Sequence, residues 1–300
     1  YQGPRGPSSS RRIGLFPAPS ALARNADGSI LYEGRLDERV ERSRLAAGKN
    51  REELTAALQR VREMRQRLIE SCGVGEPTPY YALLLADGDN MGRAIDLEST
   101  FEGHQKLGKA LDRFSTKCKA IVEEHAGSLV YAGGDDVLAL LPLHTALECA
   151  RALASEFEQD LRPFGAADAR PTLSVGLAVA HHVVDFAEVR EQAKRAEKLA
   201  KMHPGKNALG IIVEPRNGSS LEAVGSWNGD GETPLDQRIF EWCKLFSEEA
   251  LPDKVAFALA ESVEPLVPRK NELISNEVRE LVSTAALSVI LNALTRRRAG

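Results

Sequence analysis

Aromatic residues make up only 5% of the 300 residues, so the sequence is poorly supplied with the ring platforms on which single-stranded nucleic acid stacks. It has no C-x-x-C pair. Its four cysteines (Cys72, Cys118, Cys149, Cys243) are scattered, which excludes zinc-ligand spacing and argues against a secreted disulfide framework. They read as reduced structural thiols of a cytoplasmic protein. No apolar run approaches the ~20 residues that cross a bilayer, so no membrane contact is expected. The opening YQGPRGPSSSRR has no apolar core of a signal peptide, and the missing initiator Met reads as a fragment or processed form. A G-x-S-x-G elbow for Ser–His–Asp hydrolysis is absent, as is a tandem repeat. Positive charge is not in excess either. A net charge of −4 argues against a generally basic, DNA-coating protein, although local basic patches can still meet phosphates.

What is present suits a folded chain of one or two domains: 43% hydrophobic and 27% charged residues. Three stretches are expected. Residues 1–78 hold an irregular Gly-, Pro- and Ser-rich start, then helices over 36–47 and Arg51–Cys72; in the second, Leu54, Leu58, Val61, Met64 and Leu68 recur at helical spacing. Residues 79–214 change pattern. Strands are expected at 80–86, 128–132, 137–142, 172–180 and 209–213, and helices at 108–125, 143–159 and 186–202. That alternation around one central hairpin predicts an α/β (α+β) ferredoxin-like sheet with helices on one face. Residues 215–300 are expected to form a small all-α C-terminal domain, with a loop over 214–235 and helices over 236–250, 254–263 and 271–298.

Chemistry gathers in three places. In SLVYAGGDDVLALLP, Asp135 and Asp136 occupy a turn between two apolar strands, where adjacent carboxylates repel and call for a cation. Taken alone, this reads equally well as a solvated Asp-rich turn. The second place is ADGDNMG, directly after an apolar strand. If that strand lies beside the hairpin, Asp87 joins Asp135 and Asp136 in an oxygen cluster suited to Mg²⁺ or Mn²⁺. Asp89 is expected to point away from Asp87 and to rank below it. The third is AKRAEKLAKMHPGKN. Lys194, Lys198 and Lys201 share a helix face; Lys194 reads as a solvated surface residue, whereas Lys201 and Lys206, at the helix end and following turn, could meet a triphosphate as point charges. Gly103–Ala110 imitates a P-loop, but it ends in Ala110 and follows no strand, so it reads as chance. His181 and His182 read as structural or surface residues.

In order, YYALLLADGDNMGRAI, LVYAGGDDVLALLP, TLSVGLAVAH and AEKLAKMHPGKN closely resemble the palm domain in the C-terminal portion of the large subunit of type III CRISPR effector complexes. DGD-x-MG brings the III-B (Cmr) branch nearest. The resemblance implies a GGDD nucleotide-cyclase-like palm that joins ATP into cyclic oligoadenylates and releases pyrophosphate. It implies Asp87, Asp135 and Asp136 as catalytic metal ligands, with two Mg²⁺ or Mn²⁺ ions. Gly88, Gly133, Gly134, Lys201 and Lys206 would meet the nucleotide. Expected partners are the other subunits of such a complex, guide and target RNA through that complex, and a first palm from the same full-length subunit or a second copy. The family's subunit usually carries an N-terminal HD nuclease, and no His-Asp dipeptide occurs in these 300 residues. Two other readings remain: a catalytically silent scaffold, and a GTP-using diguanylate-cyclase-like enzyme, disfavoured because Asp136 stands where those carry Glu.

Overall fold

The computed structural model describes residues 51–72, 78–166, 169–214, 220–229 and 233–248. The helices expected over 36–47, 254–263 and 271–298 lie outside them. Helix α1 (Arg51–Cys72) belongs to a unit separate from the fold that begins at Thr78. Glu52 and Glu53 in its first turn suit the positive end of the helix dipole.

From Thr78 onward, β1 (Tyr80–Asp89), β2 (Ser128–Gly133), β3 (Asp136–Pro142), β4 (Thr172–His181), β5 (Ala208–Val213) and β6 (Leu221–Ser226) make one six-stranded sheet in the order β2-β3-β1-β4-β5-β6. The helices are α2 (Met91–Leu97), α3 (Phe101–Glu124), α4 (Ala146–Leu161), α5 (Phe186–Met202) and α6 (Leu235–Ser247). The central strand β1 runs antiparallel to both β3 and β4. β4 and β5 are parallel, joined across the sheet by α5.

The expected mixed α/β palm is present, but its helices cover both faces of the sheet rather than one. Ala82, Leu84 and Ala86 of β1 and Val175 and Leu177 of β4 join a core with α3 and α4, where Phe114 and Phe157 meet edge to face at 4.9 Å. Leu83, Ala178 and Ala180 point the other way, onto Val189 and Ala193 of α5. Coverage on both sides is why YYALLLA reads as a continuous apolar run instead of alternating. Helix α5 lies very close to the sheet. A Cβ on Gly176 would stand 2.6 Å from the Ala193 carbonyl oxygen and 2.7 Å from Glu197 Cα. The helix meets the strands through small buried residues, Ala193, Ala196 and Ala200.

Strand β6 falls inside the stretch expected to be a loop. It pairs antiparallel with β5 and is followed by Trp227, whose indole N–H donates to the Leu173 carbonyl at 2.9 Å. The Arg151 guanidinium lies over that ring at 4.6 Å and pairs with Asp236 of α6. These contacts are distant in sequence, and composition near β6 (Asn, Gly and Ser) hides them. The P-loop imitation is helical: Gly103 is in the first turn of α3, its N–H donating to the capping Thr100 hydroxyl at 3.0 Å. His181 packs edge-on against Tyr80 at 5.0 Å, at the opposite end of β1 from Asp87.

Candidate active site

Strand β1 does not stop at Ala86. It continues through Asp87, Gly88 and Asp89, opposite Ser174, Leu173 and Thr172 of β4. On its other side Ala86 pairs with Val137, and one further step of that register sets Asp87 across from Asp136. Cross-strand partners share a face of the sheet, and here it is the face that carries α5. The β2–β3 hairpin closes on the pair Gly133 and Asp136, with Gly134 at φ 66° in the turn. That left-handed value favours glycine, and a side chain at 134 would meet only open space. Asp135 lies against Gly88 instead: a Cβ there would stand 2.7 Å from Asp135 Cβ and 2.8 Å from its Oδ2. Glycine at 88 is what lets the hairpin carboxylate close on β1.

The last turn of α5 supplies the cation. Lys201 Nζ donates to Asp87 Oδ2 and to the Gly88 carbonyl at 3.0 Å, and it stands 3.7 Å from Asp89 Oδ1 and 4.0 Å from Glu197 Oε1. Burial, with the charge of Lys206 added, brings its ammonium down to about 8. Lys206 follows in the turn after α5, close enough to Asp89 for their charges to interact. The basic helix stripe therefore divides: Lys194 pairs with Glu191 at the surface and Lys198 is exposed, while Lys201 turns inward.

Asp89 departs from expectation. Residues two apart on a strand share a face, so Asp89 sits beside Asp87 and does not point away from it. It is fully buried. Its Oδ2 accepts from Ser174 Oγ at 2.8 Å, Thr172 Oγ1 at 2.9 Å and the Asn207 N–H at 3.1 Å, while Oδ1 has no hydrogen-bond partner. Burial pushes its carboxyl up, against the pull of those hydrogen bonds. Glu197, unremarked in the sequence, is pushed up by burial and by Asp89 and Asp136. Burial and Asp136 do the same to Asp135. Two signals could have found these residues: the i, i+2 spacing in Asp-Gly-Asp, and the i, i+4 spacing of Glu197 and Lys201.

Asp87, Asp89, Asp136 and Glu197 thus gather on the α5 side with Lys201 and Lys206, while Asp135 lies against Gly88. Among the described residues no three Asp, Glu, His or Cys side chains converge as a ready-made metal cage. Mg²⁺ seldom uses such a cage; it takes one or two carboxylates and completes its shell with water and substrate phosphate. An all-oxygen donor set, crowded and short of positive charge, is of the kind that suits a hard cation.

Residues 80–210 match the family described as "Cas10/Cmr2, second palm domain". The match spans a little under half of the chain. The CRISPR system Cmr subunit Cmr2 of Pyrococcus furiosus is 32% identical over 180 residues, 51% of this chain and 21% of that protein. The chain therefore spans about a fifth of the length of this Cmr2 relative. The chain also shares its fold with two crystal structures of a Csm1–Csm4 cassette. The one in complex with pppApApA matches at a TM-score of 0.52 and 15% identity, over 71% of this chain and 37% of that one. The one in complex with AMPPNP matches at 0.50 and 17%, over 71% and 36%. No helix among the described residues is long and apolar enough to cross a membrane.

Proposed function

We propose that this palm performs metal-dependent nucleotidyl transfer, joining ATP into cyclic oligoadenylates with release of pyrophosphate, within an RNA-guided type III CRISPR complex. The observation that carries this reading is the meeting of Asp87, Asp136 and Lys201 at the end of β1, beside an open hairpin turn. The nucleotide analogue and adenylate in the Csm1–Csm4 structures of the same fold support the choice of ATP.

In this reading the 3′-hydroxyl of one ATP bonds to the α-phosphorus of the next. The bond to the β-phosphate oxygen breaks, pyrophosphate leaves, and the hydroxyl proton passes to solvent. Asp87 and Asp136, with Asp135 beside them, would hold two Mg²⁺ or Mn²⁺ ions, which when bound neutralise triphosphate charge and lower the pKa of the attacking hydroxyl. Lys201 and Lys206 neutralise the triphosphate and the departing pyrophosphate as point charges. Gly134 keeps the turn open where the nucleotide approaches, and Gly133 leaves room for the Tyr131 ring that packs against it. A first palm, from the same full-length subunit or a second copy, would hold the other ATP, and partner subunits would present guide and target RNA. A silent scaffold is the second reading, favoured by the Lys201 ammonium that already neutralises Asp87.

Calorimetry of ATP binding with Mn²⁺ tests this on the chain and on its Asp87→Asn/Asp136→Asn double variant. Metal-dependent binding that disappears in the variant, with GTP a poor competitor, is the expected result. Equal binding by both sinks the metal assignment. Equal competition by GTP moves the palm to the diguanylate-cyclase-like reading. A folded chain that binds no nucleotide leaves the scaffold.

A further inference from the structure

The turn after α5 adopts an unusual backbone. Gly205, Lys206 and Asn207 are all left-handed, at φ 80°, 56° and 47°. Glycine tolerates that region; two successive non-glycine residues there are strained and persist only where surrounding contacts hold them. The Asn207 carbonyl accepts from the Trp227 N–H at 2.9 Å, and the Lys206 N–H donates to the His203 carbonyl at 2.9 Å. A third tie is the Asn207 N–H, which donates at 3.1 Å to Asp89 Oδ2. Asp89 is itself held rigidly by the Thr172 and Ser174 hydroxyls on the neighbouring strand, and its free Oδ1 stands 3.7 Å from Lys201 Nζ.

From this geometry we infer that Asp89 is a positioning residue: one carboxylate holds the left-handed 205–207 turn and attracts Lys201, and so sets the spacing of the two ammonium groups. Its use in gripping a triphosphate rests on the nucleotidyl-transfer reading; its hold on the turn does not. The carboxylate is engaged by three donors from β4 and the turn, and needs no contact with a reacting atom. A hydrogen bond from a backbone N–H to a charged, buried acceptor is strong enough that losing it speeds local opening by roughly tenfold or more.

Two readouts test it on the full chain and on Asp89→Asn and Asp89→Ala. The first is amide hydrogen exchange without nucleotide. Exchange at Lys206 and Asn207 is expected to accelerate by about tenfold or more in Asp89→Ala, less in Asp89→Asn, whose amide oxygen still accepts, while β4 and β5 amides keep their protection. The second is the ratio of ATP to AMP affinity with Mn²⁺. Displaced ammonium groups lower it by several-fold, because AMP lacks the phosphates they would grip. Unchanged exchange at 206–207 overturns the proposal. So does a uniform loss of protection across the sheet, since that marks Asp89 as a general core residue. A changed turn with an unchanged ratio overturns the link to phosphate. If the unsubstituted chain binds neither nucleotide, the nucleotidyl-transfer reading falls, and the exchange result alone decides whether Asp89 holds the turn.

Discussion

Replacing Gly176 by alanine adds one methyl group to the face of β4 on which α5 lies. That carbon would start 2.6 Å from the Ala193 carbonyl oxygen and 2.7 Å from Glu197 Cα, where ordinary contact begins at 3.4 Å. Nothing on either side is a flexible side-chain tip and the Glu197 backbone nitrogen lies nearer still, so the helix must retreat by about 1 Å or more. Overpacking of this kind costs about 1–3 kcal/mol, a fall in melting temperature of roughly 2–12 °C for a domain of this size. The more telling effect is at the site. Glu197 and Lys201 ride on α5, and a displacement near 1 Å is worth on the order of 100-fold where charges must be placed for chemistry. Gly108→Ala in α3 is the matched control: nothing lies within 4 Å of the added carbon, so better helix propensity should raise stability by up to about 1 kcal/mol. Thermal unfolding and ATP calorimetry on the two variants measure both effects. If Gly176→Ala melts with the parent and binds ATP equally well, the close seating of α5 does not position Lys201, and the reasoning fails.

Lys201 gives a pH signature. Its folded value of about 8 lies below that of the same side chain in an unfolded chain, about 10.4. The unfolded state then binds more protons between those values, so this residue's penalty is full below about 8 and is relieved as pH rises towards 10.4. The stability difference between parent and Lys201→Met, followed by urea unfolding from pH 7 to 10, should therefore change in favour of the parent; a flat difference refutes the burial of the ammonium. Cys118 and Cys149 are fully buried in the α3–α4 core, and burial pushes both thiols up to about 12. Both should resist alkylation at pH 8 until the palm unfolds, and mass spectrometry showing rapid labelling of the native chain would contradict that placement.

Much of the palm was readable because its signals are local. The apolar run before Asp87, the Gly-Gly-Asp-Asp turn and the Ala-rich α5 each state their own conformation through strand length, turn chemistry or helical spacing. Asp87, Asp136, Lys201 and Lys206 followed from what comes immediately after those elements. Asp89 was misplaced because strand alternation was expected to turn it away from Asp87, whereas alternation turns only neighbours apart and returns residues two apart to one face. Once the strand is seen to run through Asp89, the i, i+2 rule puts both aspartates on one face.

By itself, then, the sequence determined five of the sheet's strands, the acidic hairpin, the basic end of α5 and the likeness of residues 80–210 to a known family. Only tertiary structure decided that helices cover both faces, that β6 adds a sixth strand, and that Glu197 and Asn207 belong to the site. The reason is range. A strand or a turn is set by the few residues it contains, but the neighbour of a sheet edge is set by contacts such as Trp227 with Leu173 and Arg151 with Asp236. Likewise the face on which α5 settles is set by the room that Gly176 and Gly210 leave for its backbone, which no window of sequence contains.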